Sequence, residues 1–148
     1  MTPETELLLM NASRAQLVRE RIQPQLAAGD VVLCDRFSDS TVAYQGYGRG
    51  LDLQQVHQVI DFAVNGLRPA LTFLLRVPVE VSEARRAARA SGLRDRFEEA
   101  DREFFSRVER GFDAIAVGDP GRIKVVDATH EIEVVAEDIW GHVHPLLT

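Results

Sequence analysis

The chain has 148 residues, 45% of them hydrophobic and 27% charged, with a formal net charge of −6. Those values suit a globular chain of one domain, which at this length buries roughly 70% of its unfolded surface. They leave no apolar run near the ~20 residues of a membrane-spanning helix, and no broad basic field of the kind that gives general affinity for nucleic acid.

The opening MTPETELLLMNASRAQ has no basic start, and its apolar stretch LLLM is too short for a secretory signal. With a single cysteine, Cys34, a reducing cytoplasm is the expected compartment. The basic residues are sixteen arginines and one lysine, Lys124, and five of the arginines fall between Arg85 and Arg96. Guanidinium suits phosphate because its planar fork gives two parallel hydrogen bonds, so any anion site is expected to be local and arginine-built.

A first helix is expected from residue 5 to about residue 26, with Leu8, Ala15, Ile22 and Leu26 on one face and Leu7, Met10, Arg14 and Leu17 on another. After Gly29-Asp30, the run VVLCD reads as a strand buried on both faces of a parallel sheet, which would bury Cys34 as an inert thiol. Asp52 and Gln55 form a capping box for a helix reaching about Asn65, with Gly66 as its stop. Its apolar stripe is Leu53, Val56, Ile60, Ala63 and Leu67. LTFLLRV is a second strand, and Pro78 opens a helix carrying Arg85, Arg86 and Arg89 that breaks near Ser91-Gly92.

A further helix, about 99 to 117, presents Phe104, Phe105, Val108, Phe112 and Ile115 as core positions, and Gly118-Asp119-Pro120-Gly121 ends it. RIKVVDA is a third strand, and 131 to about 143 a closing helix with Trp140 on its apolar face. Alternating strands and helices predict an α/β fold with a parallel sheet, undivided by any repeat or linker.

Ligands of open α/β sheets bind beyond the carboxyl ends of the strands, where Asp35-Arg36 stands. The pair alone reads equally as a strand-end salt bridge. It is followed, however, by Ser40, Thr41, Tyr44 and Gln45, with i, i+4 spacing between Ser40 and Tyr44 and between Thr41 and Gln45. Hydroxyl, aromatic and amide groups in that order can read a base edge and a sugar, although Asp39 and Ser40 also suit a helix start. QGYGRG follows no strand directly and reads as a turn rather than a phosphate loop. His57, His130, His142 and His144 have no metal-ligand spacing with Cys34.

LCDRFSDSTVAYQGYGRGLD resembles the signature region of the thymidylate kinases, in its Asp-Arg-aromatic, Ser-Thr and Ala-Tyr-Gln spacings alike. TELLLMNASRAQ, LRPALTFLLRVP, DRFEEADREFFSRVERGF and VVDAT are similar to further segments of that family, so the resemblance covers nearly the whole chain. It implies a three-layer P-loop kinase-like fold and a single kinase domain, here partial, over 1–148. The activity implied is phosphorylation of dTMP to dTDP by Mg-ATP in the cytoplasm, by a homodimer with the first helix near its interface. Arg14 and Arg36 would grip the dTMP phosphate, Thr41 with Ser40 or Gln45 would meet the thymine edge, and Tyr44 would lie beneath the deoxyribose. Asp35 and Glu98 would stand near magnesium, and Phe97 with Glu98 would close on the nucleotide. The lid, about 85–98, would bring Arg89, Arg94 and Arg96 to ATP, while Arg85 and Arg86 equally suit a solvated helix face.

Nothing in the chain matches the family's phosphate loop, G-x-x-x-x-G-K-[ST], and Lys124 lies in the last strand. The expectation is therefore a kinase portion lacking the family's first two strands and inactive by itself, or else a non-catalytic nucleotide-binding or assembly fragment, or a kinase for another nucleoside monophosphate. Because the loop's strand would lie between VVLCD and LTFLLRV, those two are expected to face a gap, with unpaired backbone groups and marginal stability. Met10 replaces the aromatic that many family members stack on thymine, and Arg76 stands where an acid is frequent.

Overall fold

The structure is a computed structural model describing residues 1–78, 80–82 and 98–147, the first four residues of the last span by backbone alone. It divides into two compact units, Met1–Arg68 with Glu99–Ile115, and Pro69–Glu98 with Ala116–Thr148. Elements are α1 (Pro3–Leu17), a π-helical turn (Val18–Ile22), α2 (Gln23–Ala27), α3 (Ser38–Thr41), a second π-helical turn (Val42–Gly48), α4 (Leu53–Val64), β1 (Thr72–Arg76), α5 (Glu98–Gly118), β2 (Ile123–Asp127) and α6 (Ile132–Leu147).

In the first unit, Thr2 caps α1 by accepting from the Thr5 amide at 3.3 Å. Pro24 has no N–H to offer the Glu20 carbonyl, and just before it the ladder widens, the Gln23 amide donating to Val18, five residues back. The buried face nevertheless keeps one regular helical stripe, offset from both expected ones. Instead of either expected stripe, Leu7, Asn11, Val18 and Ile22 are buried, whereas Leu8, Met10, Leu17 and Leu26 are exposed. Leu7, Val18 and Ile22 meet Val42 and the α4 residues Val56, Ile60 and Val64 in one core. The α4 boundaries are as expected: Asp52 accepts from the Gln55 amide at 2.9 Å, and Asn65 and Gly66 both turn left-handed.

The run 31–34 is not a strand. It is an extended segment without a ladder partner among the described residues; Val31 is 65% and Leu33 91% exposed, and Cys34 is exposed too. An apolar run becomes a strand only when a neighbour supplies the opposing N–H and C=O groups, and none does so for this stretch among the described residues.

The second unit holds a two-stranded parallel sheet in which Thr72 pairs with Ile123 and Arg76 with Asp127. The Arg122 guanidinium ties the strand starts together, donating to Thr72 Oγ1 at 2.9 Å and to Asp119 at 2.8 Å. Lys124 donates to the Pro120 carbonyl at 2.7 Å. Two residues expected in the core are exposed, Trp140 at 54% and Phe105 at 47%. Periodicity identified their apolar helix faces, but each ring is only partly covered, Phe105 by Phe104 at 5.3 Å and Trp140 by His144 at 5.6 Å between centroids. The helical turn after Pro78 begins at 80–82, where the Ser82 amide donates to the Pro78 carbonyl; the remainder of that helix and the lid segment lie outside the described residues, save the backbone of Glu98.

Two interactions fix the second π-helical turn within the first unit. Glu6 accepts from Gln45 Nε2 at 2.6 Å and from Arg49 at 3.1 Å. On the other side α5 comes so close that a Cβ at Gly48 would lie 2.7 Å from Phe104 and 2.8 Å from Val108. Gly48→Ala is therefore expected to cost about 1–3 kcal/mol through overpacking, whereas Gly141→Ala, in open space on α6, is neutral or stabilising by up to ~1 kcal/mol. Urea unfolding of both variants checks this.

Burial raises the Glu6 carboxyl, but the hydrogen bonds from Gln45 and Arg49 and the Arg49 charge outweigh it, holding the group below its usual 4.5. A lowered folded-state value stabilises the protein above the unfolded-state value and ceases to do so as pH falls through the folded one. The stability advantage of the native chain over Glu6→Gln is therefore expected in full at pH 7, shrinking from about pH 4.5 downward. Unfolding of both proteins between pH 3 and pH 7 measures it, and a constant difference contradicts it.

Candidate functional site

The candidate site forms where α1, the exposed end of 31–37 and the helical segment 38–48 meet in the first unit. Arg14, half-buried on α1, donates to Asn11 Oδ1 at 2.8 Å and to the Phe37 carbonyl at 3.2 Å. Its guanidinium lies 5.5 Å from the centre of the Phe37 ring. Burial pushes its pKa below the usual arginine value, opposed by the Asp39 carboxylate, a change that leaves a guanidinium cationic.

Arg36 adopts a left-handed backbone, φ 63°, which costs a residue with a Cβ about 1–2 kcal/mol. Its Nε donates to Ser40 Oγ at 3.3 Å, and its guanidinium lies 4.3 Å over the Tyr44 ring. Arg36 thus meets both Ser40 and Tyr44, two residues that helical spacing had placed on one face. The Tyr44 ring stands edge-on to Phe104 and Phe112, at 6.0 and 6.2 Å between centroids.

The other expected residues are distributed less evenly. Thr41 and Gln45 are buried, and Gln45 is held against Glu6. Met10 is exposed on α1, one turn before Arg14, and Asp35 is exposed beside Arg36. Arg89, Arg94, Arg96 and Phe97 lie outside the described residues, as does the Glu98 side chain. No group of three or more His, Cys, Asp or Glu side chains forms a metal cluster among the described residues.

Five residues that shape the site were not marked as site residues by the sequence. Phe37 supplies the ring and carbonyl for Arg14, and Asn11 bonds both Arg14 and the Leu7 carbonyl. Glu6 and Arg49 hold Gln45's neighbourhood, and Arg49 lies 4.5 Å over Phe104. Ser38 keeps a buried hydroxyl without a partner among the described residues, an arrangement costing about 1–3 kcal/mol. The available signal was spacing: Glu6, Met10 and Arg14 follow each other at four-residue intervals, and Asn11 is a polar residue amid apolar ones.

The chain is similar to known proteins over almost its whole length. The family model for thymidylate kinase matches residues 1–139. A thymidylate kinase of Desulforudis audaxviator (strain MP104C) is 48% identical over 147 residues, covering 99% of this chain and 65% of the relative. One from Synechococcus sp. (strain JA-3-3Ab) is 49% identical, covering 99% of this chain and 70% of the relative. A third, from Roseiflexus castenholzii (strain DSM 13941 / HLO8), is 42% identical over 158 residues, 99% of this chain and 69% of the relative. The chain therefore spans about two thirds of the length of these relatives. On the family match and on these identities, the chain belongs to the thymidylate kinase family.

Proposed function

We propose that this chain carries the nucleoside-monophosphate side and the lid of a thymidylate kinase, a phosphotransferase converting dTMP and ATP into dTDP and ADP in the cytoplasm. The observation that supports it most is Arg36. A strained left-handed backbone sets a guanidinium beside a hydroxyl and over an aromatic ring, and strain of this kind concentrates at ligand clamps. Arg14 and Arg36 are the phosphate grips. Tyr44 lies beneath the deoxyribose and disfavours a 2′-hydroxyl, Met10 covers the base, and Thr41 with Ser40 meets the thymine edge, with Gln45 acting from its place beside Glu6.

Phosphoryl transfer depends on positioning and charge stabilisation, so these residues act by holding the acceptor phosphate in line with ATP. Asp35 is exposed and can join a magnesium ion that keeps most of its waters and takes oxygens from the phosphates, a donor set that asks only one or two carboxylates of the protein. Glu98 is the second such carboxylate. Magnesium held there would supply positive charge that offsets the charge developing in phosphoryl transfer. Arg89, Arg94 and Arg96, in the lid at about 85–98, approach ATP, with Phe97 closing beside them. Residues 1–148 act as one kinase domain portion, paired with a second copy near α1.

Arg36→Ala is expected to weaken dTMP binding roughly 10- to 100-fold, the loss of a charge-assisted hydrogen bond, while thymidine, lacking the phosphate, binds both proteins alike. Calorimetric titration with both ligands checks it; equal losses for the two ligands would overturn the phosphate role. Because these 148 residues contain no G-x-x-x-x-G-K-[ST] segment and Lys124 bonds the Pro120 carbonyl, the purified chain alone is expected to form no dTDP. Magnesium-dependent dTDP formation contradicts that, and tight binding of dUMP or AMP in preference to dTMP would favour a different monophosphate substrate.

A further inference from the structure

We infer that Arg107 is a positioning residue for the nucleoside site: it fixes the turn Val42–Gly48 and, through it, the Tyr44 ring. The inference rests on the reading that Tyr44 lies beneath the sugar. Arg107 Nε donates to the Gly48 carbonyl at 2.9 Å. That carbonyl ends the π-helical turn, where helical carbonyls lack intrahelical donors, and a guanidinium donor makes the bond charge-assisted. The turn's closing bond, from the Arg49 amide to the Tyr44 carbonyl at 2.9 Å, lies directly beside it.

The same face of α5 supplies the rest of the seat. Phe104, Val108, Gly111 and Phe112 fall at the i, i+4, i+7 and i+8 positions that share a helix face, and Arg107 sits among them. The missing Cβ of Gly48 admits Phe104 and Val108, the missing Cβ of Gly111 admits Tyr47 at 2.9 Å, and Phe104 and Phe112 meet the Tyr44 ring edge-on. These contacts bring the turn close to α5, and the hydrogen bond from Arg107 adds a directed tie at the turn's last carbonyl. Arg107 therefore sets where along α5 the turn stops, and so how closely Tyr44 approaches the sugar. Glu103, 3.9 Å from Arg107 Nη1 and largely exposed, contributes little to this.

The test uses the full 148-residue chain labelled with 3-fluorotyrosine, whose two tyrosines give two fluorine signals assigned by Tyr47→Phe. Without nucleotide, Arg107→Ala is expected to shift and broaden the Tyr44 signal, Arg107→Lys to restore part of it through a single ammonium bond, and Glu103→Ala to leave it unchanged. An unchanged Tyr44 signal in a folded Arg107→Ala protein, or an Arg107→Lys signal no nearer the unsubstituted position than that of Arg107→Ala, overturns the inference. With nucleotide, the preference for dTMP over ribothymidine 5′-monophosphate is expected to shrink about tenfold in Arg107→Ala, the scale of one lost hydrogen bond, and to recover partly in Arg107→Lys. An unaltered preference overturns the specificity role even where the signal moves. Failure of the unsubstituted chain to bind dTMP refutes the functional reading instead, with the ligand-free signal still deciding whether Arg107 positions Tyr44.

Discussion

The arrangement of the first unit depends on one apolar contact, the packing of Leu7, Val18 and Ile22 against Val42 and against Val56, Ile60 and Val64 of α4. Arg14 lies on the same helix one turn before Val18, and Tyr44 stands two residues after Val42. Seating the valines and isoleucines therefore seats the arginine and the tyrosine as well. The polar links that refine their positions, Arg14 to the Phe37 carbonyl and Gln45 to Glu6, work at the border of this core, where partial burial strengthens a hydrogen bond without the full desolvation penalty of a buried charge.

Features set by neighbours in sequence were legible before the structure. The Asp52 cap, the Asn65-Gly66 stop and the stripe through Val56, Ile60 and Ala63 arise from local backbone geometry and helical period, and the structure shows all three. The run 31–34 was misread because a strand is a pairwise property: its sequence carries the apolar side chains but not the ladder that would bury them. The faces of α1 were misread for a different reason. Apolar residues lie around much of its circumference, and the side that is buried, through Leu7, Asn11, Val18 and Ile22, is set by the contact with Val42 and α4 and includes a polar residue that apolar periodicity passes over.

The site divides along the same line. Ser40 and Tyr44 could be grouped from the sequence by their four-residue spacing, and Arg36 joins them from a left-handed turn a few residues earlier. The partners that hold them could not, since Glu6 reaches Gln45 across 39 residues and Arg107 reaches Gly48 across 59. Two ordinary helix-surface residues thus become determinants of the site only once the chain is folded. Their types, one acid and one arginine on helices rich in both, carried no signal of their own.

The central claim is that the dTMP site is assembled within the first unit around Arg14, Phe37, Arg36 and Tyr44. An NMR titration of the isotopically labelled chain with dTMP tests it most directly. The account predicts that the largest shift changes fall on those four residues and on Ser40 and Thr41, with β1, β2 and α6 little affected. Changes concentrated in the second unit, or none at saturating dTMP, would contradict it.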